Sequence, residues 1–426
     1  MAEEKKIPAG RLGRFVRMAG LGARTGASLL LSKDGAGAAQ QAAEVLGTIR
    51  GLAAKVGQMA SYIDGVVPEG QREAYESALR GLRAAAPTSS PAAIRAVVEE
   101  DLGAPIDQLF ATWEVEPFAS ASIGQVHRAT RADGRAVAVK VQHPGIQKAV
   151  ESDLENAGMI EGMVGALGPR AMNSKAMLDE IKARFREELD YELEADRQRQ
   201  FQRLHEGDPH IRIPDVFADR STRRVLTTEL VAGQSFEEAC EAGEAARRRH
   251  AETLWRFVFK GNLVGGMFNA DPHPGNYLFQ EDGRIAFLDF GCVQPLEGDR
   301  LEHARVLHRA ALRHDEREFR RMAAVILETR GGLYEEMATA YSRRCFEPIF
   351  QAPYRITRGY VASLVDGVKD LKQTLFRKDG GFVPLPPGML FMNRLQFGFY
   401  SVLARLDVDV DYAAVEAAFL REAGVA

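Results

Sequence analysis

Two short segments constrain this chain most. "FNADPHPGNYLF" spans residues 268–279 and "FLDFGC" spans residues 287–292. They set Asp271, Asn276 and Asp289 on turn-forming sequence between apolar runs. Asp271 precedes Asn276 by five positions and Asp289 by eighteen. Asp and Asn beside Gly and Pro occur in plain turns. Two such turns in close succession, each flanked by strand-like residues, point to polar groups held at the end of a strand–loop–strand.

The 426 residues suffice for two or three domains, or one domain with large additions. A formal net charge of −4 gives no overall indication of nucleic-acid binding. Cys240, Cys292 and Cys345 lie far apart, which excludes a disulfide framework or a zinc site built on cysteines. They read as buried small apolar residues of a reducing compartment. No apolar run reaches the ~18–20 residues a membrane span needs. The richest stretch, "GMLFMNRLQFGFYSVLARL", is interrupted by Asn393, Arg394 and Gln396. The N-terminus lacks an apolar signal core. The expected location is cytoplasmic, with peripheral contact at the inner membrane and no transmembrane segment.

Residues 1–105 read as a helical extension, rich in alanine. In "SSPAAIRAVVEEDLG", Ser90 is a candidate cap, Pro91 suits the first turn and Gly103 a helix end. Strand territory follows. "IGQVHRATRADGRAVAVKVQ" reads as two strands joined at Asp133-Gly134. Val137, Val139 and Val141 share one face and should pack inward; Ala136, Ala138, Lys140 and Gln142 share the other. Residues 176–204 read as one long charged helix. A strand pair is expected near "IRIPDVF" and "RRVLTTELVAG". After Gly233 the chain reads as mainly helical, apart from the strand–loop–strand at 268–290. The domain reading is 1–105 extension, 106–232 β-rich lobe and 233–426 helical lobe.

Lys140 on a strand, a carboxylate-rich helix, Asp271 with Asn276 five residues on, and Asp289-Phe-Gly reproduce the order of the protein-kinase signature set. A strand lysine held by a helix glutamate steadies α- and β-phosphates. Asn276 and Asp289 offer hard oxygen ligands to Mg²⁺. Asp271 can take or orient the proton of an attacking hydroxyl or water. Three departures stand out. "PFASASIGQVH" replaces a glycine-rich loop, and Ala119 and Ala121 restrict close backbone approach. No Ala-Pro-Glu follows Asp-Phe-Gly, and the chain returns to helix within about ten residues. His273 stands where a lysine is expected.

The chain resembles the UbiB/AarF (ADCK-type) family of atypical kinases and is identified as a bacterial member. The resemblance runs over roughly residues 10–400 and rests on "KVGQ", "ASASIGQVH", "ELDYELEAD", "NADPHPGN" and "LDFG". It implies an α+β, two-lobed protein-kinase-like fold whose N-terminal helices cover the cleft. It implies gating residues Lys55, Gly57 and Gln58, with Lys55 pairing Glu188 of the Glu-x-Asp motif (Glu188, Asp190). Glu194 takes the place of the helix partner of Lys140. On one ideal helix, however, Asp190 and Glu194 share a face and Glu188 lies well off it. Asn269 is a departure from the His that many members carry, expected to affect loop packing and to touch no metal ligand.

The expected site therefore comprises Asp271, Lys140 and Glu194 in catalysis, and Asn276 and Asp289 on the metal. Ala119, Ser120, Ala121 and Ser122 cover the phosphates. A hinge at Thr228–Val231, through Glu229 and Val231, meets the adenine. The cofactors are ATP and Mg²⁺. The role implied is an ATPase or kinase acting on a small-molecule or lipid acceptor, or water, in support of ubiquinone or isoprenoid-lipid metabolism. A lipid or quinone precursor is the expected ligand, without nucleic acid. An ATP-gated lipid- or partner-binding switch is the alternative, and a true protein kinase a third reading. Plainer readings also exist: Lys140 as a snorkelling edge-strand lysine, Lys55 as a solvated helix lysine, and Glu188, Asp190 and Glu194 as a charged helix face. His143 and His273 are assigned no metal. The basic amphipathic start "GRLGRFVRMAGLGAR" suits either an anionic membrane surface or docking onto the kinase body.

Overall fold

The computed structural model describes residues 89–120, 123–152, 154, 174–373 and 389–425. Lys55, Gly57, Gln58, Ala121 and Ser122 lie outside the described residues, as does the expected helical extension up to residue 88. Two compact units emerge, one drawn from Met1–Pro169 with Leu178–Leu189, the other from Arg170–Met177 with Asp190–Ala426.

The first unit is an antiparallel sheet with a helix against it. Helix α1 (Pro91–Leu102) starts with Pro91 in its first turn and ends at Gly103, whose φ of 72° is the left-handed conformation that glycine adopts without strain. Ser90 stands at the N-cap position, but its side chain makes no capping bond. Strands β1 (Thr112–Trp113) and β2 (Ala119–Ser120) both pair with β3 (Gly124–Thr130), which pairs along its length with β4 (Ala136–Gln142). The β3–β4 hairpin turns at Asp133-Gly134, with Gly134 at φ 83°. Val137, Val139 and Val141 are fully buried, as their alternation requires, and α1 packs on β4 through its Ile94–Val98 face. Gln142 departs from the alternation. It is buried and donates its Nε2 to the Leu189 carbonyl (2.9 Å). That bond ties the end of β4 to the end of α2 (Ser174–Glu188).

The expected single helix over 176–204 is two. Helix α2 stops at Glu188, and α3 (Tyr191–Leu204) begins anew with Asp190 as N-cap, its carboxylate accepting the Leu193 N–H (3.1 Å). An aspartate that can cap competes with helix continuation, so the break falls inside the Glu188-x-Asp190 motif. Helical periodicity does not carry across it, and the arithmetic that set Glu188 off the Asp190–Glu194 face no longer applies.

The second unit is mostly helical. The "IRIPDVF" segment divides at Pro214: β5 (Ile211–Arg212) runs parallel to the later strand Ile285–Phe287, and residues 215–217 pair with β6 (Val225–Glu229) through a bridge at Val216 and Thr228. Next comes α4 (Glu244–Leu263), the helix around which the unit is organised. It is followed by β7 (Met267–Asn269), β8 (Tyr277–Phe279), β9 (Ile285–Phe287) and β10 (Val293–Pro295). Helices α5 (Arg300–Leu312), α6 (Glu316–Ile326), α7 (Gly332–Cys345), α8 (Arg358–Gln373), α9 (Met389–Leu406) and α10 (Tyr412–Glu422) complete it, with a small β11–β12 pair (Tyr354–Arg355, Asp409–Val410).

Two aromatic clusters sit on α4. On one side Trp255 packs against Phe259, Tyr400 and Tyr412. On the other Phe257 stacks on Phe287 (centroids 3.6 Å apart) and, with Phe201 of α3, encloses Phe290. Phe290 is wholly buried, so the apolar residue between Asp289 and Gly291 anchors that turn to the core.

Candidate functional site

In the second unit the two turns noted in the sequence form one closed arrangement. β8 and β9 are an antiparallel hairpin. β10 returns to pair with β7, Val293 opposite Asn269. The Ala270 N–H donates to the Cys292 carbonyl (2.7 Å), and the Leu288 N–H to the Asn276 carbonyl (3.0 Å). Backbone hydrogen bonds thus join the Asp271 turn to the Asp289 turn at both ends.

Side chains finish the arrangement. Asn269 donates Nδ2 to the Asp289 carbonyl (2.6 Å) and accepts the Asp271 N–H at Oδ1 (3.0 Å). The sequence reading gave it no contact with the metal-binding residues; it instead holds the backbone of both acids. Asn276 directs Nδ2 to the Asp271 carbonyl (3.2 Å) and carboxylate (3.3 Å), so Oδ1 is the atom it could offer to a cation. Asp289 Oδ1 accepts the Gly291 N–H (3.0 Å). His273 caps the turn Pro274–Asn276, accepting the Gly275 N–H at Nδ1 (3.0 Å). A Cβ on Gly275 would stand 3.0 Å from that same nitrogen, so any larger residue there would push the His273 ring back by a few tenths of an ångström. The residue that takes the place of a lysine is therefore part of the loop's own scaffold. Buried Tyr277 lies close by. Burial, and secondarily the charge of Asp271, push its phenol well above the ordinary range.

Helix α3 approaches the same turn. Glu194 is 3% exposed, and its Oε2 lies 3.5 Å from where a Cβ on Gly291 would stand, with Asp289 Oδ1 at 3.4 Å from the same point. A Cβ at Gly291 would make ordinary van der Waals contact with both carboxylates. One turn further on, Arg197 donates to the Gly291 carbonyl (3.2 Å). Sequence reasoning missed Arg197, since a lone arginine on a charged helix carries no signal. Asp190, besides capping α3, lies 3.7 Å from the Arg223 guanidinium. Glu229 ends β6, its N–H bonded to the Asp215 carbonyl (2.8 Å) and its carboxylate paired with Arg212; Val231 follows in the irregular stretch before Gly233.

In the first unit the sheet register lines up two expected phosphate groups. Ala119 pairs with Val126, and Val126 pairs with Lys140, so the three share a row and a face. Ser120 lies in the next row, and its Oγ is shielded from solvent with no partner among the described residues. Glu188, the last residue of α2, is also in this unit.

These donors fit the groups expected. Asp289 and Asn276 in the second unit carry oxygens of the kind Mg²⁺ would take as ligands when phosphates complete its shell. Among the described residues no cluster of three or more His, Cys, Asp and Glu suggests a metal site of another kind. In the first unit the Lys140 ammonium, on the face it shares with Ala119, suits an anionic phosphate chain, whereas the Ser120 side chain lies on the opposite face with Gln125.

The family model described as the ABC1 atypical kinase-like domain matches residues 81–323. The chain belongs to this family of atypical kinases, the UbiB/AarF group its motifs resemble, and its fold is the α+β kinase-like fold. It is 29% identical over 314 residues to the atypical kinase COQ8B, mitochondrial, of Danio rerio, covering 69% of this chain and 50% of that protein. It is 37% identical over 227 residues to the protein "activity of BC1 complex kinase 3, chloroplastic" of Arabidopsis thaliana, covering 51% and 31%. The chain thus spans half or less of the length of these curated relatives. Among solved structures, that of an Rv3197–erythromycin complex from Mycobacterium tuberculosis matches with a TM-score of 0.62 and 27% identity, over 87% of this chain and 92% of that one. No described helix is long and apolar enough to cross a membrane.

Proposed function

We propose that the chain binds Mg-ATP and transfers or hydrolyses its terminal phosphoryl group, with a small molecule, a lipid or water as acceptor. The observation that carries this reading is the closed arrangement of Asn269, Asp271, Asn276 and Asp289. In the reading, Asp271 accepts the proton of the attacking hydroxyl as its oxygen bonds to the terminal phosphorus and the bond to the ADP oxygen breaks. Asn276 and Asp289 would hold the cation, which neutralises phosphate charge when bound. Lys140, with Glu194 as its expected partner, and Ala119–Ser122 would take the phosphates; Glu229 and Val231 would meet the adenine. Lys55, Gly57, Gln58, Glu188 and Asp190 keep their proposed gating role.

A non-protein acceptor is favoured by the path after Asp289. The chain enters β10 at Val293 and α5 at Arg300, leaving little length for a peptide-docking loop. Support of ubiquinone or other isoprenoid-lipid metabolism follows from the family, one of whose members here is COQ8B. The test is Mg-dependent ATP hydrolysis by the purified protein, with and without anionic liposomes and a phenolic quinone-precursor mimic, beside Asp289→Asn. The expected result is stimulated turnover that falls about a hundredfold or more in the variant. Turnover no greater than that of the variant under every condition would overturn it.

A second reading has its own support. One matched solved structure is a complex with erythromycin, a bulky amphipathic small molecule. A nucleotide-gated binding protein would show nucleotide-dependent uptake of such a ligand, or of a lipid, with no phosphate released. Titrating erythromycin against the protein with and without Mg-ATP separates the two.

A further inference from the structure

The "ASASIGQVH" segment carries two residues for which the proposed site has no use: Gln125 and His127. Both are buried, at 1% and 0% exposure, on the apolar face of β3, opposite Val141 and Val139. Polar groups so placed need partners, and these form a chain. His127 Nδ1 is 2.9 Å from the Glu114 carbonyl, which can only accept, so Nδ1 carries the proton and Nε2 is an acceptor. The Gln125 amide nitrogen, 2.9 Å away, therefore donates to Nε2. The Gln125 oxygen then accepts the Ser89 N–H at 2.8 Å. Every donor meets an acceptor, and the ring tautomer and the amide orientation fix each other. Trp113 stacks on the imidazole with centroids 4.8 Å apart.

The chain has two ends with meaning. At one end Ser89 also bonds through Oγ to His143 Nδ1 (2.9 Å), and the His143 N–H holds the Ile123 carbonyl (2.9 Å). At the other end Glu114 is tied back to β3, its N–H donating to the Arg128 carbonyl (2.9 Å). Gln125 in the middle is the register partner of Ser120. We propose that Gln125 and His127 are positioning residues, whose polar relay from Ser89 to Glu114 fixes β2 against β3 and so sets how tightly Ala119 and Ser120 take nucleotide phosphates. The last step rests on the nucleotide reading above; the first does not.

The relay works only with neutral His127. Burial lowers its basicity, outweighing the Glu114 hydrogen bond and the charge of Glu116, which favour the proton. Glu116 is the charge that acts on the ring, the neighbouring Glu114–Arg128 pair is exposed, and Val139 across β4 is apolar. A protonated ring would turn Nε2–H against the Gln125 amide N–H.

Two variants test this. Gln125→Met keeps the shape and removes the hydrogen bonds. Amide exchange at residues 118–120 and 124–128 should rise about tenfold, and the ATP KM should rise about tenfold with kcat unchanged. Gln125→Glu can accept from Ser89 N–H and from an imidazolium at once. His127 should then titrate at higher pH than in the wild type by NMR, and amide protection should survive at mildly acidic pH. Wild-type exchange in Gln125→Met, or the same His127 titration in Gln125→Glu as in the wild type, would overturn the relay. Failure of wild-type protein to bind ATP, with exchange responding as expected, would leave the β2–β3 positioning standing and remove the nucleotide reading instead. If Gln125→Met does not fold, Gln125→Glu carries the test alone.

Discussion

Replacing Asn269 with alanine removes the N–H given to the Asp289 carbonyl and the oxygen that receives the Asp271 N–H. Each lost bond leaves a partly buried backbone group unpaired, at about 1–3 kcal/mol. Steady-state turnover should therefore fall about ten- to a hundredfold, with a higher Mg²⁺ requirement and a lower melting temperature. Gly275→Ala should act similarly, because its Cβ would push the His273 ring back from the cap on which Asn276 rests. A wild-type circular dichroism spectrum at the assay temperature beside depressed turnover would distinguish loop damage from unfolding. At this scale the gathering of Asp271, Asn276 and Asp289 on joined turns was legible in their spacing, whatever chemistry they carry. Asn269 and Arg197 were not. Their partners are backbone carbonyls 20 and 94 positions away, and no local pattern announces such a bond.

Elements whose signals were local came through the sequence well. Alternating valines placed β4, Asp133-Gly134 placed its hairpin, and Gly103 placed the end of α1. The long helix did not, because an aspartate with good helix formers around it reads as interior until its side chain is seen capping. Asp190→Ala should cost about 1 kcal/mol through loss of that cap, visible as a shift in denaturant midpoint with an unchanged slope. Asp190→Asn should recover most of it. Gly103→Ala should destabilise by a similar amount, since alanine is strained at φ 72°.

For the molecule as a whole, buried neutral histidines set an acid limit. His205 lies between Phe201 and Phe257 with neither ring nitrogen bonded among the described residues, and burial lowers its pKa to about 3. His250 is lowered to about 4 by the same cause. An unfolded histidine takes its proton near pH 6.5 and these do not. Their contribution is thus complete above about 6.5 and is lost as pH falls from there toward the lowered values, at no more than about 1.4 kcal/mol per pH unit for each ring. Melting temperature should decline between pH 7 and pH 5, and His205→Phe should flatten that decline. An unchanged pH profile in His205→Phe would contradict the assignment. The Trp255 core has a different consequence. Its indole N–H reaches Glu416 of α10, 161 positions later, and Glu416 also pairs with His308 of α5. Around Leu263 the apolar packing likewise waits for Phe419 and Leu420. A ribosome must therefore release α10 before the core around α4 can close, whereas the β3–β4 hairpin and α1 have all their partners much earlier. During synthesis the first unit can settle while α4 still exposes its aromatic side, so the nascent chain is most exposed to proteases and chaperones in the interval between α4 and α10.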